Sequence, residues 1–93
     1  MEQYFQACQN GDYHAVLKYI ANGVDVKSVD SASWSALHHA AFVNQQSICE
    51  SLIQYGANPD FGDHRAETAL HIAITQGHEA LSSYLIQVSS LHQ

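Results

Sequence analysis

Positive charge is scarce in this chain. Three cations (Lys18, Lys27, Arg65) stand against nine carboxylates, for a formal net charge of −6 over 93 residues. Neutralising phosphates takes clustered Lys and Arg, so neither nucleic acid nor an anionic membrane is expected as a partner. Long apolar runs are also missing, so no segment is expected to span a membrane. The opening Met1-Glu2-Gln3-Tyr4 has no basic n-region or apolar h-region, so no secretory signal is expected. Cys8 and Cys49 follow no metal or redox spacing, and two thiols make no disulfide scaffold. The cytoplasm is the expected compartment, with the nucleus as the alternative. Nor is there a nucleophile beside a base, a glycine-rich phosphate loop or a metal-ligand set. No enzyme is expected, and no cofactor or metal.

What the chain does have is a hydrophobic content of 46%, enough to fold, and an internal repeat. Ser35-Ala36-Leu37-His38 returns as Thr68-Ala69-Leu70-His71, and Asp30/Asp63, Ala40/Ala73 and Leu52/Leu85 share the same 33-residue offset. A fixed period of this length marks stacked supersecondary units. Each unit reads as helix, tight turn, helix and extended loop. Leu37, Ala40 and Ala41 make a short apolar stripe on a first helix, and Ile48, Cys49, Leu52 and Ile53 one on a second. The third unit places Leu70, Ala73 and Ile74 on its inner stripe and Leu81, Tyr84, Leu85 and Val88 on its outer one. Applied backwards, the offset yields an inner helix with Tyr4, Ala7 and Cys8 and an outer one with Val16, Tyr19 and Ile20. Ser35 and Thr68 are N-cap candidates. Gly23 and Gly56 are left-handed helix-end candidates, and Asn44 replaces the glycine found at Gly11 and Gly77.

Gly23-Val24-Asp25-Val26 through Asp30, followed by Trp34-Ser35-Ala36-Leu37-His38-His39-Ala40-Ala41, resembles an ankyrin repeat. So does Gly56-Ala57-Asn58-Pro59 through Asp63, followed by Glu67-Thr68-Ala69-Leu70-His71-Ile72-Ala73 and Gly77-His78. The resemblance implies an all-α ankyrin-repeat solenoid, its helix-turn-helix units joined by β-hairpin loops. One domain over residues 1–93 is expected, with approximate units 1–29, 30–62 and 63–93 and atypical or capping first and last units. Alanine stands at positions 36 and 69 where the family has proline, and Ser33 and Ala66 stand where it has a hairpin glycine. Those two turns are expected to be strained or differently shaped. The stretch Gln87-Val88-Ser89-Ser90 announces no further repeat.

In such a stack the apolar stripes are consumed by neighbour packing, which leaves the hairpin tips and the concave face of the first helices for function. The resemblance places that surface on Val29, Ser31, Ala32, Trp34, Phe42 and Val43. One unit on, it runs through His64, Arg65, Glu67, Thr75 and Gln76, with Gln9 and Asn10 bordering it. Exposed aromatics in a cluster mark a binding surface, so Trp34 and Phe42 are the expected anchors and Arg65 and Glu67 the orienting rim. Against this, Trp34 can lie over Phe42 and merely shield the seam between units. His38 and His71 share one repeat position and are read as structural, each bonding Ser35 or Thr68 and nearby backbone. His64 near Asp60 and Asp63 lacks metal-site spacing and reads as a solvated loop residue. Cys8 and Cys49 read as small core residues. A protein partner of unknown identity is the expected ligand, with a monomer favoured over a homodimer. The alternative is a scaffold that self-associates or docks within a larger multidomain protein.

Overall fold

The computed structural model describes residues 2–89. Met1 and Ser90, named above, lie outside them. Six helices form and, among the described residues, no strand: α1 (Glu2–Asn10), α2 (Tyr13–Ala21), α3 (Ala36–Phe42), α4 (Gln46–Gln54), α5 (Ala69–Thr75) and α6 (Glu79–Val88). They pair as α1–α2, α3–α4 and α5–α6, and α3 stacks between α1 and α5. This is an all-α helical repeat fold.

Local chemistry sets the helix boundaries. Ser35 is extended (φ −83°, ψ 171°), and its hydroxyl accepts the His38 N–H at 3.4 Å while His38 Nδ1 accepts the Ser35 N–H at 3.3 Å. Thr68 and His71 repeat the exchange at the start of α5, at 3.4 and 3.0 Å. First-turn donors that no helical carbonyl can reach are satisfied this way, here with histidine in the role usually taken by Glu or Gln. At the other end, α4 closes with the Gly56 N–H on the Ile53 carbonyl and the Ala57 N–H on the Leu52 carbonyl. That double bond pattern requires a left-handed residue after the cap. Asn44 supplies one after α3 at φ 62°, as Gly11 does after α1 at φ 70°.

The core runs the length of the stack. Tyr4, Cys8, Val16, Leu37, Ile48, Cys49, Leu52, Leu81 and Leu85 are sealed from solvent, and small residues (Ala36, Ala40, Ala41, Ala69, Ala73) sit between the stacked helices. Burial pushes both thiols up to about 12, so Cys8 and Cys49 are inert packing residues. One stripe departs from expectation. Ile74, expected inside, is 58% exposed, whereas Ile72 is buried at 5%. Ala41 and Cys8, one and two periods earlier, have a following inner helix stacked beyond them. Among the described residues nothing stacks beyond α5, so the equivalent side chain stays in solvent.

The loops between units were expected as hairpins. Their closing bonds are present: the Asp30 N–H donates to the Trp34 carbonyl and the Asp63 N–H to the Glu67 carbonyl, each at 3.0 Å. Regular pairing shrinks to an isolated antiparallel bridge between Val29 and Ser35. Ser33 and Ala66 are held in the left-handed region at φ 65° and 60°, so the expected backbone strain is real.

Candidate functional site

One aspartate organises each loop tip. Asp30 Oδ1 accepts the N–H groups of Ala32 and Trp34 at 2.9 and 3.0 Å; Asp63 Oδ1 accepts those of Arg65 and Glu67 at 2.8 and 3.0 Å. The second oxygens differ. Asp30 Oδ2 takes the His39 Nε2–H at 2.7 Å, within its own unit, while Asp63 Oδ2 takes the Trp34 indole N–H at 2.9 Å, across the unit boundary. Burial opposes ionisation of Asp30, but the Trp34 N–H, the His39 ring and the Ala32 N–H outweigh it and hold the carboxyl below its ordinary range. For Asp63 the Glu67 N–H leads, joined by the Arg65 N–H and the indole, in the same direction.

Trp34 is therefore fixed on three sides. Besides its bond to Asp63, the indole stacks on His38 (centroids 5.8 Å, interplanar 26°) and meets the His39 ring edge-on at 5.1 Å. Phe42 lies against it at 5.8 Å, tilted by 58°. His38 reaches across the same boundary, its Nε2–H donating to the Glu67 carbonyl at 2.8 Å while Nδ1 faces the Ser35 hydroxyl at 2.9 Å. Burial lowers the His38 pKa, which keeps the neutral tautomer that this geometry requires. His71 repeats only the local half of the pattern, on Thr68, because among the described residues no later loop offers it a carbonyl. His39 bonds Asp30 and, at 3.1 Å, the Gln9 amide. His78 approaches the Phe42 carbonyl at 3.1 Å.

The fixed indole is a wall between two depressions. On one side a recess of about 190 Å³ is bounded by Trp34, Phe42, Arg65, Glu67, Thr75 and Gln76, with buried Ile72 at its base. On the other, a trough of about 420 Å³ is bounded by Ala32, Trp34, Asp63, His64, Arg65 and Glu67. Most of the residues named from the sequence are thus brought together around one side chain. Three are not. Val29 is exposed but paired with Ser35, Ser31 projects from the loop tip, and Val43 is the half-buried cap of α3.

Two members of the site were missed. Asp63 was read as a repeat residue, and nothing in the 33-residue alignment pairs it with Trp34, which aligns with Glu67. Ile72 aligns with His39, and that mismatch between units was the available signal. With both Asp63 oxygens occupied, His64 has no carboxylate partner there, and among the described residues no group of three metal-ligating side chains converges. A further groove of about 240 Å³ lies between Val26, Ala57 and Phe61, the last an exposed aromatic that sequence reasoning did not single out.

The sequence matches the three-copy ankyrin-repeat family over residues 4–92. The chain belongs to the ankyrin-repeat family. It is 37% identical over 76 residues to the Arabidopsis thaliana calmodulin-binding transcription activator 4, covering 75% of this chain and 8% of that protein. Human rabankyrin-5 is 34% identical over 95 residues, covering 89% of this chain and 8% of that protein. The Danio rerio ankyrin repeat and SAM domain-containing protein 6 is 31% identical over 86 residues, covering 91% and 12%. The chain thus spans about a tenth of the length of these curated relatives. Ankyrin repeats generally mediate protein–protein interaction. Among the described residues no helix is long and apolar enough to cross a membrane.

Proposed function

We propose that these ankyrin repeats form a non-catalytic interaction module that captures a partner protein on the concave side of the loop tips and inner helices. The three helix pairs act as one unit over residues 1–93, divided near positions 30 and 63. The observation that carries this reading is the indole of Trp34, locked by Asp63 and His38 beside exposed Phe42, with Arg65 and Glu67 around it. A preorganised aromatic wall loses little ordering entropy on binding. Val29, Ser31, Ala32, Val43, His64, Thr75 and Gln76 complete the surface. The scarcity of Lys and Arg supports a protein rather than nucleic acid or membrane as partner, in the cytoplasm or nucleus, with the module a monomer. Buried, protonated thiols and histidines engaged in structural bonds support the absence of catalysis.

The test is affinity capture from the native source with wild type and a Phe42→Ala/Arg65→Ala variant, both side chains lying outside the core. The variant should keep the helical circular dichroism and lose the captured partner; equal capture by both proteins refutes the surface assignment. The alternative, a scaffold that self-associates or docks within a larger protein, draws on the exposure of Ile74 and Ile86 on the third unit. Sedimentation over a concentration range separates the two, since only self-association makes the mass rise with concentration.

A further inference from the structure

The recess between Trp34 and Phe42 offers an incoming side chain aromatic walls and fixed hydrogen-bond acceptors. Glu67 borders it with a carboxylate that makes no hydrogen bond or ion pair with a described residue. The Glu67 backbone is held at both ends, its N–H on Asp63 Oδ1 at 3.0 Å and its carbonyl on the His38 Nε2–H at 2.8 Å. The Thr75 hydroxyl donates its proton to the His71 carbonyl at 2.9 Å, so towards the recess it can only accept. The walls are the rings of Trp34 and exposed Phe42, with Ile72 at the base. At about 190 Å³ the recess falls below ordinary small-molecule pockets, roughly 300–1,000 Å³, and suits one side chain.

The charges around the indole decide which side chain. Asp30 Oδ1 holds the Trp34 backbone N–H and Asp63 Oδ2 the indole N–H, at 3.0 and 2.9 Å. Those bonds do not neutralise the carboxyls; they favour the ionised form, and both groups lie below the ordinary carboxylate range. With Glu67, three carboxylates therefore surround Trp34. Counting histidine neutral, the opposing charge is Arg65 alone, which borders the recess as well. Arg65 is exposed and its guanidinium makes no hydrogen bond or ion pair with a described residue, so its flexible stem lets it turn into solvent. The net charge of −6 acts in the same direction as the three carboxylates.

We propose that the recess takes one basic side chain, an arginine, presented by an exposed segment of the partner protein. The guanidinium lies against the Trp34 and Phe42 rings, and its N–H groups donate to the Glu67 carboxylate and the Thr75 hydroxyl. Arginine suits this better than lysine because its planar fork stacks on aromatic rings while serving two acceptors. This specificity rests on the interaction-module reading above and goes beyond it by naming the ligand chemistry.

Trp34 is the only tryptophan of the chain, so its indole N–H gives one resonance that reports on the site directly. The probes are Gly/Ser peptides carrying one central Arg, citrulline or Glu; citrulline keeps the shape of arginine without its charge. The Arg peptide should shift the indole resonance saturably, about fivefold more tightly than the citrulline peptide, and the Glu peptide should not saturate. Added salt should bring Arg and citrulline binding closer together. Glu67→Gln should remove most of that discrimination. Arg65→Ala should tighten the Arg peptide a few-fold by removing a like charge, so the loss expected of the Phe42→Ala/Arg65→Ala protein falls on Phe42. An unchanged free indole resonance in each variant certifies that the wall is intact. Equal binding of Arg and citrulline peptides, no saturable shift with the Arg peptide, or discrimination that survives Glu67→Gln overturns the proposal. Capture of a native partner that depends on Phe42, without binding of the Arg peptide, also overturns it but leaves the interaction-module reading standing. If that capture fails as well, the broader reading falls with it.

Discussion

Replacing Ala66 with glycine should stabilise this protein. Ala66 sits at φ 60° in the second loop, its methyl in solvent and its N–H bonded to the Asp63 carbonyl at 2.9 Å. The loop cannot relax away from that conformation, because Gly62 backs closely onto it; a methyl on Gly62 would come within 3.0 Å of the Ala66 Cα. Holding an L-residue in the left-handed region costs about 1–2 kcal/mol. Glycine removes that cost but loosens the unfolded chain by about 0.4–1 kcal/mol. The difference is a net gain of about 0.5–1 kcal/mol, since no buried contact is lost. For a domain of this size that corresponds to roughly 2–8 °C in melting temperature. Urea unfolding followed by circular dichroism should show a higher midpoint with an unchanged slope. Ser33→Gly, at φ 65° in the equivalent loop, should behave alike. Two unchanged or lowered midpoints would refute the assignment of strain to these positions.

Three other outcomes follow from the same structure. Stability should fall on mild acidification: because burial depresses the His38 pKa, the unfolded chain binds the proton first. That contribution is complete above the unfolded value of about 6.5 and is lost as pH falls through the folded one. Asp30 and Asp63, held below their ordinary 3.8, add a second loss at more acid pH, and a melting temperature flat from pH 7.5 to 5 would contradict the His38 assignment. Tyr4→Phe should stabilise by about 1 kcal/mol, since the Tyr4 hydroxyl is buried without a hydrogen-bond partner; a lower denaturant midpoint would mean that the hydroxyl is satisfied after all. Gly11→Ala should destabilise more than Gly77→Ala in thermal melts. Both turns are left-handed, but only at Gly11 would the new methyl lie 2.5 Å from the Gln45 amide, and equal losses would show that Gln45 simply moves aside.

The period made the scaffold legible because each unit solves the same packing problem with the same residues. Leu37, Ala40 and Leu52, the Ser35 and Thr68 caps and the left-handed turn at Asn44 could all be placed by translating one unit onto the next. Translation fails where the environment changes between units. Ile74 holds an inner position, but with nothing stacked beyond α5 among the described residues it stays exposed. The site was legible as a set of positions that break the repeat, not as a set of contacts. The bond from Trp34 to Asp63 joins two positions that do not correspond in the repeat frame, so no offset reveals it. His39 has no counterpart in the repeat frame, since Ile72 stands one unit on; it turns out to be buried, holding Asp30, Gln9 and the indole edge. Trp34 proves to be both seam and surface, so substituting it tests packing and recognition together. Phe42 and Arg65 are the cleaner probes.

The central claim is that partners bind on the Trp34 side of the stack. Amide hydrogen exchange on the module, free and bound to its affinity-captured partner, tests that most directly. Protection confined to residues 31–34, 64–67 and 72–76 is the predicted result. Protection confined to α2, α4 and α6, with the loop tips unchanged, would contradict the account.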